Sequence, residues 1–153
     1  MLYAHLVRHF CALIFNATII PHSADLRPAS HLFATTALST AGIVPPTHLL
    51  TADDCAHGKP HPEPYLKGAA MLGKDPKRCL VIEDAPAGLR SGRAAGCKVL
   101  GVCTSHSREQ VESVVRELDD DGEEGKGWVV EGLDEVSVEW TMEGRLRVVI
   151  GSG

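Results

Sequence analysis

The sequence lacks the signals of three classes of protein. It has no run of about 20 apolar residues, the length that a transmembrane helix needs. It has no basic stretch with interleaved aromatic residues, and its net charge of −5 disfavours general nucleic-acid binding. Its five cysteines show no CxxC spacing, and none of its eight histidines forms a helical i, i+4 pair around an acid, so we expect no zinc site. These absences favour a protein that binds neither membranes nor nucleic acids.

The cysteines and the first residues bear on the cellular compartment. Three of the cysteines lie in or beside apolar runs, which indicates buried, reduced thiols in a reducing compartment. Arg8 followed by "FCALIFNATII" has the outline of a short signal peptide, but the run contains Asn16 and no small-x-small cleavage site follows it. We therefore interpret the run as a core strand and expect a cytoplasmic protein.

What the sequence does contain is an alternation of short apolar runs with stretches of helical spacing. The apolar runs predict strands near residues 12–17, 48–52, 80–83 and 99–103. The helical spacing predicts helices in "SHLFATTALSTAG", which ends at Gly42, in "PEPYLKGAAMLG", which ends at Gly73, in "AGLRSGRAAG", and in "SREQVESVVRELDD", which Ser107 caps. The order of these elements is that of repeated βα units.

Near-continuous apolar strands that alternate with helices are typical of a parallel sheet covered on both faces. Farther along, "DDDGEEGKG" is predicted to be a solvated loop, and residues 136–150 alternate around "MEGR" as in an antiparallel hairpin at the sheet edge. A chain of 153 residues is long enough for one core. We expect an α/β, Rossmann-like three-layer sandwich with a mostly parallel sheet and a C-terminal antiparallel hairpin.

Two polar loops fall at the carboxyl edge of this predicted sheet, where open α/β sheets bind their ligands. Lys59 lies between Gly58 and Pro60, which restrict the backbone and aim the ammonium group, and such a cation suits a phosphate or a carboxylate. Glu83 and Asp84 end a strand and offer the oxygen ligands that Mg²⁺ prefers. A lysine in a turn is usually only solvated, and an acid pair after a strand often caps a helix. Their spacing, one βα unit apart, favours a shared phosphate and magnesium site.

The same residues carry a family resemblance. "GKPHPEPY", followed later by "VIEDAPAGLRSGRAAG", resembles the third and fourth motifs of the haloacid dehalogenase-like hydrolases, above all their small sugar-phosphate and polyol-phosphate phosphatases. The resemblance covers residues 37–104 and extends more loosely to residue 150. It implies that Lys59 neutralises the phosphoryl group and that Asp84 ligates Mg²⁺, with Glu83 in or beside the metal shell. It also implies that Gly88 is the glycine of the turn after these acids.

The front of the chain departs from that family. Its members begin with an apolar strand that runs into Asp-x-Asp, whereas no DxD occurs before Lys59 here. "ALIFNATII" places Asn16 where the nucleophile belongs, and an amide cannot form an aspartyl-phosphate. Ser30 is the nearest match to the phosphate-binding serine or threonine of the second motif, and too few residues separate it from Asn16 for a substrate-selecting cap. We therefore divide the chain into an atypical segment, 1–30, with a degenerate first strand, and a family-like core, 31–153.

Three functional interpretations stay open. The first is a phosphomonoester hydrolase for a small phosphorylated metabolite, catalytically incomplete as written and binding Mg²⁺ weakly or not at all, because Asn16 offers the metal only a neutral amide. The second is a non-catalytic module that binds phosphate or a protein partner. The third is a truncated gene-model fragment of a phosphatase. The sequence predicts neither the substrate nor the oligomeric state.

Overall fold

The structure, a computed structural model, describes residues 31–119, 127–142 and 146–151. The helices in these ranges are α1 His31–Thr40, α2 Glu63–Met71, α3 Pro86–Ala94 and α4 Arg108–Asp119. The strands are β1 Leu80–Glu83, β2 Lys98–Val102, β3 Gly127–Val130, β4 Val136–Trp140 and β5 Leu146–Ile150. Short 3-10 helices lie at Ala52–Asp54, Pro76–Arg78 and Leu133–Glu135.

The central sheet has the strand order β1-β2-β3, and both neighbouring pairs are parallel. Val81 pairs with Val99 between β1 and β2, and Gly101 pairs with Val129 between β2 and β3. α3 connects β1 to β2, and α4 connects β2 to β3, so the described chain is built of successive βα units. The predicted Rossmann-like α/β fold is confirmed.

Different elements cover the two faces of this sheet. On one face, Val81 and Val99 pack with Leu89 of α3 and Val111 of α4, and all four are fully buried. The other face carries Leu80, Ile82, Leu100, Val102 and Val130, against which Val136, Val148 and Ile150 pack. Full burial of one such side chain contributes about 1.5–3 kcal/mol. Among the described residues, helices therefore cover one face and the β4–β5 hairpin packs on the other.

The hairpin itself is confirmed, but its predicted place is wrong. β4 and β5 form a separate two-stranded antiparallel sheet and do not extend the edge of the parallel one. The alternating apolar residues of the hairpin need an apolar surface, and the face opposite the helices supplies it. A cavity of about 480 Å³ remains in this region, lined by Leu80, Leu100, Trp128, Val148 and Ile150. Side-chain contacts rather than a backbone ladder thus hold the hairpin against the sheet.

The strand predictions had mixed outcomes. The strand at 80–83 is confirmed, and the strand predicted at 99–103 is present one residue earlier. The predicted strand at 48–52 is wrong, because this stretch is irregular and leads into the 3-10 helix at Ala52–Asp54. The backbone N and Oγ1 of Thr51 donate hydrogen bonds of 2.7 and 2.9 Å to Asp54 Oδ2, so the backbone turns here. The strand predicted at 12–17 lies outside the described residues.

The helix predictions agree with the structure. α1 and α2 end near Gly42 and Gly73, whose φ angles of +70° and +60° lie in the left-handed region that glycine tolerates best. Ahead of α4, Ser107 N donates to Gln110 Oε1 at 3.1 Å and Gln110 N donates to Ser107 Oγ at 3.4 Å. This reciprocal pair is a capping box, and it confirms Ser107 as the cap of the helix.

The cysteines differ from the expectation at one position. Cys55, Cys97 and Cys103 are free thiols, and Cys97 is buried. Cys79 is disulfide-bonded, so the prediction of reduced thiols is wrong for this residue, whose sulfur is covalently paired. Within the described part of the chain, none of the helices has the length and apolar character needed to cross a membrane. The cytoplasmic location stays a prediction.

Candidate functional site

The polar residues of the site gather at the carboxyl edge of the sheet. Asp84 comes directly after β1, and Thr104, Ser105 and His106 follow β2. Because β1 and β2 are parallel neighbours, their carboxyl ends lie side by side, and Thr104 Oγ1 lies 3.5 Å from Asp84 Oδ2. The main-chain oxygen of Asp84 lies 3.1 Å from both Ser105 Oγ and His106 Nδ1. The segment after β2 therefore holds both the backbone and the side chain of Asp84.

Glu83 is the last residue of β1, and its side chain turns into the protein. The residue is only 2% exposed, and its Oε1 accepts hydrogen bonds from Lys59 Nζ and from the hydroxyl of Tyr65 in α2. Lys59 Nζ also lies 5.1 Å from the centroid of the Tyr65 ring, within the range of a cation–π contact. The peptide bond from Lys59 to Pro60 is cis. A buried acid and an aromatic ring thus fix the ammonium group in place.

Burial dominates the electrostatics of this contact. It raises the pKa of Glu83 above the ordinary value, although Lys59 and the Tyr65 hydroxyl both act to lower it. Burial also raises the pKa of Tyr65, and the nearby charge of Glu83 raises it further, so the phenol remains a hydrogen-bond donor. A carboxylate buried this deeply needs a cationic partner, and Lys59 supplies it.

α3 approaches Glu83 so closely that only glycine fits at position 88. A Cβ atom on Gly88 would lie 2.2 Å from both Cδ and Oε2 of Glu83. Gly88 lies in the first turn of α3, which begins at Pro86, a residue with no N–H that is well suited to the first helical position. The backbone N of Gly88 donates a hydrogen bond of 3.0 Å to the main-chain oxygen of Ala85, so the expected turn is the start of the helix. The role of Gly88 in the structure is to leave room for the Glu83 carboxylate.

Two buried carboxylate oxygens make no hydrogen bond with any described residue. They are Asp84 Oδ1 and Glu83 Oε2. A buried anionic oxygen without a donor is costly, and a bound cation would satisfy it. Glu83 Oε2 lies against Gly88, and the other oxygen of Glu83 is already bonded to Lys59 and Tyr65. Asp84 Oδ1 therefore fits a ligand of Mg²⁺, a hard ion that prefers oxygen, better than Glu83 does.

The loop that carries Lys59 is fastened to α3. Ser91 is fully buried, and its Oγ donates a hydrogen bond of 2.6 Å to the main-chain oxygen of His61, two residues beyond Lys59. A hydrogen bond of this kind contributes about 1 kcal/mol to stability. α3 therefore contacts the site twice, through Gly88 beneath Glu83 and through Ser91 beneath the loop.

The other end of the loop is fastened to α2. Glu63 accepts hydrogen bonds from the backbone N of Ala56 at 2.9 Å and from that of His57 at 2.8 Å, and its Oε1 pairs with Lys67 Nζ at 2.8 Å. These bonds, the one from Lys67 most strongly, lower the pKa of Glu63. Because Glu63 is the first residue of α2, the helix and the loop are held as one unit.

The sequence predicted part of this arrangement. The structure brings Lys59 to Glu83, beside Asp84, at the edge where a shared site was expected. Their roles towards phosphate and metal stay predictions. Asn16 and Ser30, the other two site residues, lie outside the described residues.

Sequence reasoning missed Tyr65 and Ser91. Tyr65 stands in the quoted motif "GKPHPEPY", but its spacing on a helix signals only a core position, and nothing near Ser91 signals its bond to the loop. The residues after β2 that hold Asp84 were also missed, although "SHSREQ" lies within the looser part of the family resemblance.

Residues 29–96 match the family model of the haloacid dehalogenase-like hydrolases. The matched range contains Lys59, Glu83, Asp84 and Gly88, and thus the loop, strand and helix that form the site. This segment is similar to that family, and the resemblance drawn from the motifs is confirmed.

Two curated relatives match part of the chain. The chain is 51% identical over 71 residues to glycerol-1-phosphate phosphohydrolase 2 of Saccharomyces cerevisiae, a match that covers 42% of this chain and 28% of the yeast protein. It is 52% identical over 62 residues to hexitol phosphatase A of Escherichia coli, covering 40% of this chain and 29% of the bacterial protein. The chain thus spans less than a third of the length of either relative.

A solved structure resembles a larger part of the fold. It is that of a conserved haloacid dehalogenase-like protein of unknown function from Agrobacterium tumefaciens. The match has a TM-score of 0.54 and 29% identity, and it covers 69% of this chain and 47% of the other. The fold and the motifs therefore point to the same family.

Proposed function

We propose that this chain binds small sugar or polyol phosphate monoesters through Lys59, with Mg²⁺ held by Asp84, and that on its own it hydrolyses them slowly or not at all. The observation that carries the proposal is the Lys59–Glu83 pair beside Asp84, whose Oδ1 lacks a donor among the described residues. The names of the yeast and bacterial relatives, a phosphohydrolase and a phosphatase, support the substrate class.

Lys59 supplies the positive charge that faces the phosphate. Phosphoryl transfer depends mainly on positioning and on neutralising charge, and an ammonium group acts there as a compact point charge. Glu83 and Tyr65 hold this group before any ligand arrives, so little reorganisation is needed on binding. We therefore assign Glu83 as the residue that positions Lys59, in place of the metal-binding role expected from the sequence.

Asp84 is the residue that would hold Mg²⁺. Thr104 contacts its side chain, and Ser105 and His106 contact its main-chain oxygen, so the carboxylate is oriented from the end of β2. Bound there, Mg²⁺ would add positive charge to the phosphate site. One protein carboxylate with further oxygens from water and phosphate is a common environment for this ion, and a weak one.

The expectation of slow turnover rests on the sequence. In the family that the chain resembles, an aspartate attacks phosphorus, and Asn16 stands at the matching position. A neutral amide cannot serve as that nucleophile, and losing a covalent nucleophile typically removes several orders of magnitude of rate. Lys59 and Asp84 would then bind a phosphate without cleaving it.

The test measures binding and turnover separately. Glycerol phosphate is titrated into the purified chain with Mg²⁺, and phosphate release is assayed on a panel of sugar and polyol phosphates. We expect measurable binding, weakened at least about tenfold by Lys59→Met because a charge contact to phosphate is lost. Lys67→Met is the matched control, since Lys67 forms an exposed pair with Glu63 at the start of α2. Asp84→Asn should remove the effect of Mg²⁺ on binding.

Each outcome bears on the proposal. Turnover near a typical enzyme rate of about 10 s⁻¹, lost in Lys59→Met and Asp84→Asn, would overturn the inactive assignment and require another nucleophile. Binding that is equal in Lys59→Met and wild type, with the fold of both verified by circular dichroism, would overturn the phosphate role of Lys59. Binding without turnover would make the chain a phosphate-binding module built on a phosphatase fold.

A further inference from the structure

A second group of ligand-type side chains lies on the loop that carries Lys59 and at the start of α2. His57, His61 and Glu63 each offer one atom able to bind a metal, and these three atoms all lie within 4.8 Å of one another. Both histidines are exposed and Glu63 is partly buried, so an ion could reach them from solvent. None of the roles assigned above makes these side chains ligands of a metal or of a phosphate.

We propose that His57, His61 and Glu63 bind a divalent transition-metal ion, with Zn²⁺ as the best match. Two imidazole nitrogens and one carboxylate oxygen form a donor set that suits Zn²⁺ and leaves a fourth position open. The oxygen donors around Asp84 suit Mg²⁺ instead. The two sites would therefore select different metals through the chemistry of their ligands.

The three side chains are already close to the geometry that a metal needs. The ring centroids of His57 and His61 lie 4.5 Å apart, and His57 Nδ1 lies 2.9 Å from Glu63 Oε2. Two ligands of a tetrahedral Zn²⁺, each about 2.0–2.1 Å from the ion, lie about 3.3 Å apart. The spacings between the three ligand atoms, at most 4.8 Å, must therefore shorten by no more than about 1.5 Å. Rotation of an exposed imidazole side chain can supply a movement of that size.

Backbone bonds already fix the carboxylate of the proposed site. Glu63 accepts from the backbone N of Ala56 and of His57, and its own backbone N donates to His61 Nδ1 at 3.2 Å. Lys67 pairs with Oε1 of Glu63, whereas His57 Nδ1 contacts Oε2, so a metal on the histidine side need not displace the lysine. The loop is therefore organised around Glu63 before a metal arrives.

This proposal reverses an expectation from the sequence. The absence of a zinc site was inferred because no two histidines have helical spacing around an acid. His57 and His61 are indeed four residues apart, but they lie in the loop before α2, and the loop rather than a helix brings them together. A search for helical motifs could not have found this cluster.

Isothermal titration of the purified chain with Zn²⁺ tests the proposal, in a phosphate-free buffer at about pH 7.5 so that the imidazoles can bind metal. We expect one site whose affinity falls at least about tenfold in His57→Asn and in His61→Asn. These substitutions keep exposed positions polar. The control is His48→Asn, which changes an exposed histidine outside the cluster. Co²⁺ in place of Zn²⁺ should give the visible absorption of a four-coordinate nitrogen and oxygen site, and this absorption should be lost in the same two variants.

Two results would overturn the metal site. One is no Zn²⁺ binding by the wild type at about 100 μM metal, far weaker than structural zinc sites. The other is binding that His57→Asn and His61→Asn leave unchanged, because the metal would then bind other histidines of the chain. Neither result bears on phosphate binding by Lys59, which is measured without zinc.

Discussion

Two glutamate–lysine pairs hold the same loop, one inside the protein and one on its surface. In the inner pair the Glu83 side chain is fully buried and the Lys59 side chain is 20% exposed. In the outer pair the Glu63 side chain is 16% exposed and the Lys67 side chain is 46% exposed. The pKa of Glu83 is raised because burial outweighs its partners, whereas the pKa of Glu63 is lowered because hydrogen bonds outweigh burial.

The difference shows what each pair is for. An exposed pair of this kind stabilises a protein little, and Glu63 acts chiefly by accepting backbone hydrogen bonds of the loop. A buried pair often stabilises no more than two apolar side chains would, because both charges lose their water. The inner pair is therefore best understood through position: Glu83 holds the ammonium of Lys59 at the edge of the sheet.

The largest effect that would sharpen this contrast is expected from Lys59→Met. This change leaves the Glu83 carboxylate buried without its cation, and breaking a buried pair in this way typically costs about 3–5 kcal/mol. The matched change Lys67→Met should cost much less, as for exposed ion pairs. Urea unfolding at neutral pH measures both. If both variants lose the same free energy of unfolding, the two pairs do not differ in the way described. The double variant Lys59→Met with Glu83→Gln should recover part of the free energy that Lys59→Met loses.

A smaller effect is expected from Gly88→Ala. The added methyl group would meet the Glu83 carboxylate at 2.2 Å, so either the acid or α3 must move. Overpacking of this kind typically costs about 1–3 kcal/mol, and here it would also shift Lys59 and weaken phosphate binding. Gly58→Ala is the control, since a Cβ there meets nothing within 4 Å. If thermal unfolding shows both alanine variants to be as stable as the wild type, the close fit around Glu83 is not required.

The smallest effect is expected at Cys97, whose pKa is shifted by burial and by a nearby acid rather than by a cation. Burial raises the pKa of the Cys97 thiol to about 11, and Asp75 adds to the shift. Because this folded value lies above the ordinary thiol value of 9.0, the contribution of Cys97 to stability is full below about pH 9 and is lost as the pH rises through about 11. The urea midpoint of Cys97→Ala should therefore fall less between about pH 8.5 and 10.5 than that of the wild type. Parallel curves would show that the buried thiol does not titrate in this way.

The sequence predicted those strands and helices that a local hydrophobic pattern determines. Continuous apolar runs located β1 and β2, and helical spacing located the helices, because burial follows directly from those patterns. The predicted strand at 48–52 was wrong, since Asp54 turns the backbone through a side-chain bond that no hydrophobic pattern reveals. β3 was missed because its four residues follow an acidic, glycine-rich stretch of sequence and are too few to show a period.

The candidate site was predictable to the same degree. Motif spacing placed Lys59 near the acids after β1, because parallel strands end at one edge. It could not show which way Glu83 turns, since that depends on the room above Gly88 and on the hydroxyl of Tyr65. The cluster around His57 was also hidden, because a loop and not a helix forms it.

The separate hairpin has a consequence for how the molecule opens. Within the described residues, β4 and β5 share no ladder with the parallel sheet, and a cavity lies among the side chains that join the two. Local unfolding proceeds in cooperative units whose boundaries follow weak contacts. The hairpin can therefore fray as a unit of its own while the amides of β1 and β2 remain protected from exchange. The edge of the parallel sheet that carries Glu83 and Asp84 should therefore stay folded while the hairpin is open.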